Sequence, residues 1–195
     1  MRSRIGACAL CAGVAGRERM NIIAGRVCVA AAGFVLALLA APAEALATSI
    51  KIVAIGASNT LGWGIDSQKA YPAQLQALLR AKGYDAEVGN AGVSFDTTAG
   101  MLSRLDAVVP AGTKLVIIQP GGNDRRFLVS KERRAANIEA MVAKLKARNI
   151  RVIVYDPVFE QKYYQWDAIH INTEGHTMIA STLLPQVISA IGPRR

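Results

Sequence analysis

Three side chains that together can activate a hydroxyl nucleophile lie at opposite ends of this sequence. Ser58 follows an apolar segment, whereas Asp167 and His170 lie near the C-terminus, three positions apart. Serine is a poor nucleophile until a general base removes its proton, and that base needs a carboxylate to fix its tautomer and stabilise its protonated form. The sequence contains two histidines, His170 and His176, so the choice of a base is narrow. The pattern indicates acyl-transfer chemistry.

The segment around Ser58 also fits simpler interpretations. A Gly-x-Ser-x-Thr sequence can cap a helix, and a glycine turn after a strand can hold a phosphate. A phosphate-binding Walker loop requires a lysine after its last glycine, but Trp63 follows Gly62. The nucleophile elbow of α/β-hydrolases requires a glycine at the position of Thr60. Taken alone, Ser58 therefore leaves a nucleophile and a helix cap as alternatives.

Asp167 and His170 are close enough in sequence for one tight turn to bring the carboxylate to one imidazole nitrogen. The other nitrogen would then face Ser58. His176 lies at the start of the last predicted helix, where we expect a structural role. Two histidines, with every cysteine in the first 28 residues, make a zinc site a poor interpretation, so we expect no metal.

Asn123 follows two glycines, which let its backbone and side chain approach a bound group closely. An asparagine amide directed at a developing oxyanion contributes about 3–4 kcal/mol in hydrolases of this type. The alternative is an ordinary turn asparagine. Gly92 and Ser58 could each add a backbone N–H donor, and we expect Asp124 to cap the turn.

The first 47 residues are typical of a leader with a secretory signal peptide. Arginines precede an apolar stretch over 27–41, and small residues follow it, so that cleavage fits after Ala45 or Ala47. A start at Met20 would give a more usual leader length. A retained membrane anchor is the alternative, but the apolar run is shorter than the ~20 residues of a span. We therefore expect an exported protein, periplasmic or secreted.

The length and composition of residues 48–195 predict one globular domain. The chain is 52% hydrophobic, and all three cysteines lie in the leader, so the mature part has no disulfide or thiol chemistry. This part carries 18 Lys and Arg against 12 Asp and Glu, a net charge of +6. Because these charges are scattered without interleaved aromatic residues, we expect no nucleic-acid partner. Attraction to an anionic membrane surface or substrate stays open.

Apolar strands alternate with amphipathic helices after the leader. The sequence predicts strands over 50–55, 86–88, 115–119 and 151–155, and helices over 71–82, 97–109, 135–148 and 174–191, the last with Asn172 or Thr173 as its N-cap. Strands this apolar, each followed by a helix, predict an α/β fold with a parallel sheet covered on both faces. Ligands of such sheets gather at the carboxyl ends of the strands, where turns rich in Gly, Asn and Asp follow.

Four segments of the chain together resemble the motif blocks of the SGNH (GDSL-like) hydrolase superfamily. The resemblance covers roughly residues 50–191, and within the family the chain looks most like the bacterial periplasmic thioesterase, lysophospholipase and arylesterase group. The four segments are IGASNTLGWG, NAGVSFDTT, QPGGNDRR and DAIHINTEGH.

This resemblance implies a fold, a set of site residues and an activity. The fold is a three-layer α/β/α flavodoxin-like arrangement, here with four to five parallel strands. The implied triad is Ser58, His170 and Asp167, and the implied oxyanion hole consists of the Ser58 N–H, the Gly92 N–H and the Asn123 side chain. No metal or cofactor is implied.

Two departures from the family pattern bear on these expectations. The aspartate that usually precedes the serine is Ala57 here, which we expect to alter loop support rather than the chemistry. The stretch from Val158 to Asp167 is short where relatives often carry a further helix and strand, so the sheet is expected to have four strands and a more open acyl pocket.

The sequence thus predicts an exported serine hydrolase that cleaves carboxylic esters or thioesters of short acyl, aryl or lysophospholipid type. Its partner would be a small-molecule ester or thioester, with a membrane-surface or cell-wall substrate also open. One alternative is a carbohydrate O-deacetylase with the same triad. Another is a catalytically weak protein that binds acyl or glycan ligands.

Overall fold

Four short apolar segments pair as a parallel sheet at the centre of the molecule. The computed structural model describes residues 49–193, and the sheet order is β2-β1-β3-β4, so β2 and β4 are its edges. The predicted parallel α/β sheet is confirmed. The strands are β1 Ile50–Gly56, β2 Ala86–Gly92, β3 Thr113–Gln119 and β4 Arg151–Val154.

Helices follow the strands in the order that the sequence predicts. The last begins at Thr173, where the Asn172 side chain accepts a hydrogen bond from the Gly175 N–H as its N-cap. One long helix begins four residues earlier than predicted because Ser130 caps it, accepting from the Arg133 N–H. The helices are α1 Ser58–Leu61, α2 Tyr71–Ala81, α3 Thr98–Val108, α4 Asn123–Arg126, α5 Lys131–Ala147 and α6 Thr173–Ile191.

The two central strands, β1 and β3, are buried on both faces, which explains why they are apolar along most of their length. Ile52 and Ala54 of β1 face one side, where they pack with buried residues of α2 and α6. Val53 and Ile55 face the other side, against α3 and α5. Burial of each such Ile or Leu side chain stabilises the folded state by roughly 1.5–3 kcal/mol relative to leaving it exposed to water. The predicted three-layer α/β/α architecture is confirmed.

The connection from β4 to α6, residues 155–172, adds no strand to the sheet. It contains a 3₁₀ turn, Gln161–Tyr163, and a single antiparallel bridge between Tyr164 and Ile171. The sheet of the described residues therefore has four strands, as the short segment after β4 predicts. This connection carries Asp167 and His170 back to the carboxyl edge of the sheet.

The predicted leader, residues 1–47 with a start at Met20 and cleavage after Ala45 or Ala47, lies outside the described residues. Residues 49–193 contain no helix of the length and apolar character needed to cross a membrane.

His176 is a structural residue of the core. Its side chain is fully buried, and its Nδ1 accepts a hydrogen bond of 3.1 Å from the Tyr71 N–H. The neutral ring therefore carries its proton on Nε2, which has no partner among the described residues. Burial disfavours the charged form and lowers the pKa of His176 from 6.5 to about 4.

This depressed pKa predicts that acid destabilises the fold through His176. Between pH 6.5 and about 4 the unfolded chain binds a proton that the folded chain excludes, so stability falls as the pH falls through that window. The loss approaches about 3 kcal/mol. Urea unfolding at several pH values will measure it. In His176→Asn, whose amide oxygen can still accept from Tyr71, this part of the fall should disappear. A variant curve as steep as the wild-type curve would contradict the assignment.

Candidate active site

Ser58 is the first residue of α1, immediately after β1 and Ala57. The close approach of α1 to the strand requires Gly56, because a Cβ there would collide with the Thr60 hydroxyl. Ala57 is buried at 5% exposure, and Thr60 donates a 2.6 Å hydrogen bond to Gln119 Oε1 at the end of β3. As the first residue of a helix, Ser58 has an N–H without an intrahelical acceptor. Its N–H and hydroxyl are thus both available at the carboxyl edge of the sheet.

Ser58 lines a cavity of about 760 Å³ at this edge. Asn123 lines the same cavity, so two of the predicted site residues meet there. The remaining lining combines charged and apolar side chains. Among them are Arg125, Arg126, Asp156, Val158, Phe159, Tyr164 and Ile169.

Asp167 and His170 form the pair that their spacing predicts. Asp167 Oδ2 lies 2.5 Å from His170 Nδ1, and its Oδ1 accepts from the N–H groups of Ile169 and His170 at 3.0 and 2.9 Å. Ala168, at φ +56°, makes the turn between them. The hydrogen bond from the His170 N–H, then those from its ring and from Ile169, lower the pKa of Asp167 to about 2. The carboxyl group is therefore ionised at neutral pH.

The His170 ring is held against an aromatic neighbour. Trp63 stacks on it with ring centroids 4.1 Å apart, and Gln165 Nε2 donates to the Trp63 carbonyl at 2.8 Å. Because Nδ1 is bound to Asp167, Nε2 is the nitrogen left for proton transfer. Within residues 49–193 neither this Nε2 nor the Ser58 hydroxyl makes a hydrogen bond. The structure thus joins His170 to Asp167 and shows no direct bond from His170 to Ser58.

Asn59 ties the histidine loop to the serine helix, a role that the sequence analysis missed. Its Oδ1 accepts from the Ile171 N–H at 2.9 Å, and its Nδ2 donates to the Ile169 carbonyl at 3.4 Å. These two residues flank His170. The residue after Ser58 therefore fixes the backbone on both sides of the imidazole. Its position next to Ser58 was the one signal available in the sequence.

Asn123 begins α4, just beyond β3. The preceding turn passes through Gly121 at φ +67°, a conformation that favours glycine. Asn123 Nδ2 donates to the Asp96 carbonyl at 2.9 Å, which fixes the amide and leaves its second N–H for another acceptor. The amide is thus fixed in the lining of the Ser58 cavity, and its role as an oxyanion donor stays a prediction.

The expectation that Asp124 caps its own turn is wrong, because its side chain makes no hydrogen bond within that turn. Its fully buried carboxylate accepts from both the N–H and the hydroxyl of Thr98, at 3.1 and 2.7 Å. Asn137 of α5 donates to the same hydroxyl at 3.0 Å. The carboxylate therefore anchors the Asn123 turn to the start of α3, because the N-terminal N–H groups of that helix need an external acceptor.

Gly92 lies outside the lining of the Ser58 cavity. Its N–H donates to Asn90 Oδ1 at 2.9 Å, and Asn90 Nδ2 in turn donates to the Thr60 carbonyl at 2.9 Å. A Cβ at Gly92 would collide with the backbone of Leu61, so glycine is needed for packing against α1. The structure thus gives this N–H a partner within the chain, and its role as an oxyanion donor stays a prediction.

No group of three or more His, Cys, Asp or Glu side chains in the described part of the chain is arranged to hold a metal ion.

Comparison with known families decides what this arrangement belongs to. The model of the GDSL-like Lipase/Acylhydrolase family matches residues 54–169, more than half of the chain. The chain belongs to this family. The match begins within β1, spans Ser58, Asn123 and Asp167, and ends one residue before His170. The resemblance to SGNH (GDSL-like) hydrolases is confirmed.

Several individual proteins are similar to this family member. Esterase TesA of Pseudomonas aeruginosa is 35% identical over 123 residues, which cover 61% of this chain and 59% of that protein. The arylesterase of Vibrio mimicus is 29% identical over 107 residues, 54% of each chain. The chain thus spans less than two thirds of the length of these relatives.

Solved structures share the fold. A crystal structure of TesA superposes with a TM-score of 0.67 at 23% identity, covering 72% of this chain and 99% of that one. AlinE4, described as an SGNH-hydrolase family esterase, superposes with a TM-score of 0.52 at 29% identity, covering 73% of this chain and 74% of that one.

The bridge made by Asn59 predicts that Asn59→Ala slows ester hydrolysis without preventing folding. The His170 backbone would lose two bonds that hold it near Ser58, and a small misplacement of a reacting group is costly. We expect kcat for p-nitrophenyl acetate to fall about 10-fold or more, with KM nearly unchanged.

Gln186→Ala is the matched control, since it removes an exposed amide on α6 that bonds to the Thr182 carbonyl. It should leave kcat at the wild-type value. Wild-type turnover in Asn59→Ala would show that the bridge does not position His170.

Proposed function

We propose that this chain is a serine esterase that hydrolyses carboxylic esters through an acyl-enzyme on Ser58. The observation that carries the proposal is the Asp167–His170 pair. Its free imidazole nitrogen is held beside the serine helix by Asn59. A histidine oriented in this way by an ionised carboxylate is the general base that a serine nucleophile requires.

The first half of the proposed reaction acylates Ser58. His170 Nε2 takes the hydroxyl proton as the serine oxygen forms a bond to the acyl carbon. The electron pair of the carbonyl moves to its oxygen, which the Ser58 N–H and the free N–H of Asn123 stabilise. The Gly92 N–H becomes a third donor when it leaves Asn90 Oδ1 and donates to the oxyanion instead. When the tetrahedral intermediate collapses, the bond to the alcohol breaks, and His170 returns its proton to the leaving oxygen.

The second half releases the acid. His170 takes a proton from water as the water oxygen attacks the acyl carbon, and the proton passes to Ser58 as the ester bond to the enzyme breaks. Asp167 remains ionised throughout, because its pKa is about 2, and stabilises the imidazolium in both halves. Balanced in this way, the cycle consumes one ester and one water.

The lining of the cavity suggests which esters suit the site. Val158, Phe159, Tyr164 and Ile169 supply apolar surface for an acyl chain or aryl group, and thioesters fit the same chemistry. We further propose that the protein is exported, because residues 1–47 have the charged, apolar and small-residue order of a signal peptide. The absence of cysteine from residues 48–195 is compatible with an oxidising compartment.

The proposal predicts covalent labelling at Ser58. A fluorophosphonate probe reacts with activated serines, so the wild-type protein should be labelled and Ser58→Ala should not. His170→Ala should label far more slowly and lose turnover of p-nitrophenyl acetate, because triad residues act as a unit. Ser103→Ala, an exposed serine on α3, is the matched control and should label like wild type. An unlabelled wild-type protein would favour the alternative of an acyl- or glycan-binding protein.

The role of Asn123 predicts a loss in kcat rather than in binding. Asn123→Ala removes a donor used mainly in the transition state, so kcat should fall about 10²-fold or more. Because Asn123 also bonds to the Asp96 carbonyl, thermal unfolding of the variant must be compared with wild type. A change confined to KM would assign Asn123 to substrate positioning instead.

A further inference from the structure

Two arginines with no anionic partner line the cavity that contains Ser58. Arg125 and Arg126 follow Asn123 in α4, and both are exposed. Within residues 49–193 neither side chain makes a hydrogen bond or an ion pair. Arg126 instead lies over the ring of Phe95, with its guanidinium carbon 5.8 Å from the centroid. A contact with a ring face orients a guanidinium while leaving its N–H donors free.

Asp156, the one carboxylate in the lining of this cavity, already has a cationic partner. Asp156 Oδ2 accepts a 2.6 Å bond from Arg134, whose side chain also donates to the Gly121 carbonyl at 3.3 Å. Asp156 is therefore held by a cation from α5. The charges of Arg125 and Arg126 remain uncompensated at the opening beside Ser58.

A second cavity, of about 580 Å³, continues the positive surface. It shares Gly121 and Arg125 with the Ser58 cavity, and its lining adds Lys131, the Asp156-paired Arg134 and one carboxylate, Glu139. Arg125 thus lies at the border of two spaces. A substrate with its ester carbon at Ser58 has room there for a charged group beyond the acyl pocket.

We propose that Arg125 and Arg126 bind an anionic group of the substrate, so that the site prefers esters carrying a carboxylate or phosphate. This inference rests on the proposed esterase function. The planar guanidinium presents paired N–H donors that match the two oxygens of a carboxylate or phosphate. The apolar side chains Val158, Phe159 and Ile169 of the same cavity receive the uncharged part of the molecule. The substrate class is therefore an amphiphilic anionic ester.

Exposure of both arginines sets the size of the expected preference. Exposed charges are screened by water and salt, so two such cations give a selectivity of about 5- to 10-fold rather than several orders of magnitude. The same screening makes the preference sensitive to ionic strength. It should nearly vanish in about 1 M NaCl, where the Debye length is about 3 Å.

A matched pair of substrates tests the proposal. The p-nitrophenyl monoester of adipic acid carries a carboxylate, and its methyl-capped diester is the neutral analogue. Wild type should show a kcat/KM about 5- to 10-fold higher for the anionic ester at low salt. In the double variant Arg125→Gln, Arg126→Gln, the kcat/KM values for the two esters should become nearly equal.

The double variant Lys114→Gln, Arg151→Gln is the control. It removes two exposed cations at the amino edge of the sheet, at the starts of β3 and β4, and so matches the loss of net charge. It should retain the wild-type ratio. Equal kcat/KM values for both esters in wild type, or a ratio that falls equally in both double variants, would overturn the proposal.

A binding measurement separates this inference from the proposed function. Calorimetry with adipate and with inorganic phosphate should show affinity that Arg125→Gln, Arg126→Gln weakens and the control does not. The stronger of the two anions identifies the group that the site prefers. If neither ester is hydrolysed and Ser58 is not labelled, the proposed function fails while calorimetry still decides the anion site. Absence of binding and of any ester preference would reject the site.

Discussion

One side-chain amide joins the two halves of the proposed catalytic apparatus. Asn59 follows Ser58, the proposed nucleophile, on a helix fixed to the sheet, and its partners Ile169 and Ile171 are 110 and 112 positions further along the chain. The connection that carries them contributes no strand to the sheet, and the core holds it at Tyr155 and Ile171, which are buried. Between these residues, polar contacts of Asn59 and Gln165 fix the backbone around His170. The geometry of the acid–base pair follows from them.

Side-chain hydrogen bonds also hold the remaining loops of the site against the carboxyl edge of the sheet. The four parallel strands end at one edge, and side-chain hydrogen bonds link the segments around the ends of β1, β2 and β3 to one another. Asp124 bonds to Thr98, Asn123 to the Asp96 carbonyl, and Asn90 to the Thr60 carbonyl. Loops held in this way by a packed scaffold keep their polar groups oriented, and functional residues usually lie on such loops.

Periodicity and spacing predict the architecture and the local pair, but not these links. The apolar strands and the Asp-x-x-His turn are patterns within a few residues, so the sequence reveals them directly. The strand β2 extends four residues beyond its predicted end at Val88, because pairing with β1 overrides the low strand propensity of Gly89 and its small neighbours. The bond that occupies the Gly92 N–H depends on where a neighbouring side chain folds back, which no spacing rule contains.

The two edges of the sheet bear on whether the protein stays dispersed at high concentration. Unpaired backbone groups on an edge strand are a template for a strand from another molecule. Along β2 the side chains of α2 occupy such groups: Gln76 accepts from the Val88 N–H at 2.8 Å, and Arg80 donates to the Ala86 carbonyl at 3.0 Å. The other edge, β4, is four residues long and begins with a charged arginine. Each edge thus resists edge-to-edge aggregation by its own means, one by occupied backbone groups and the other by shortness and charge.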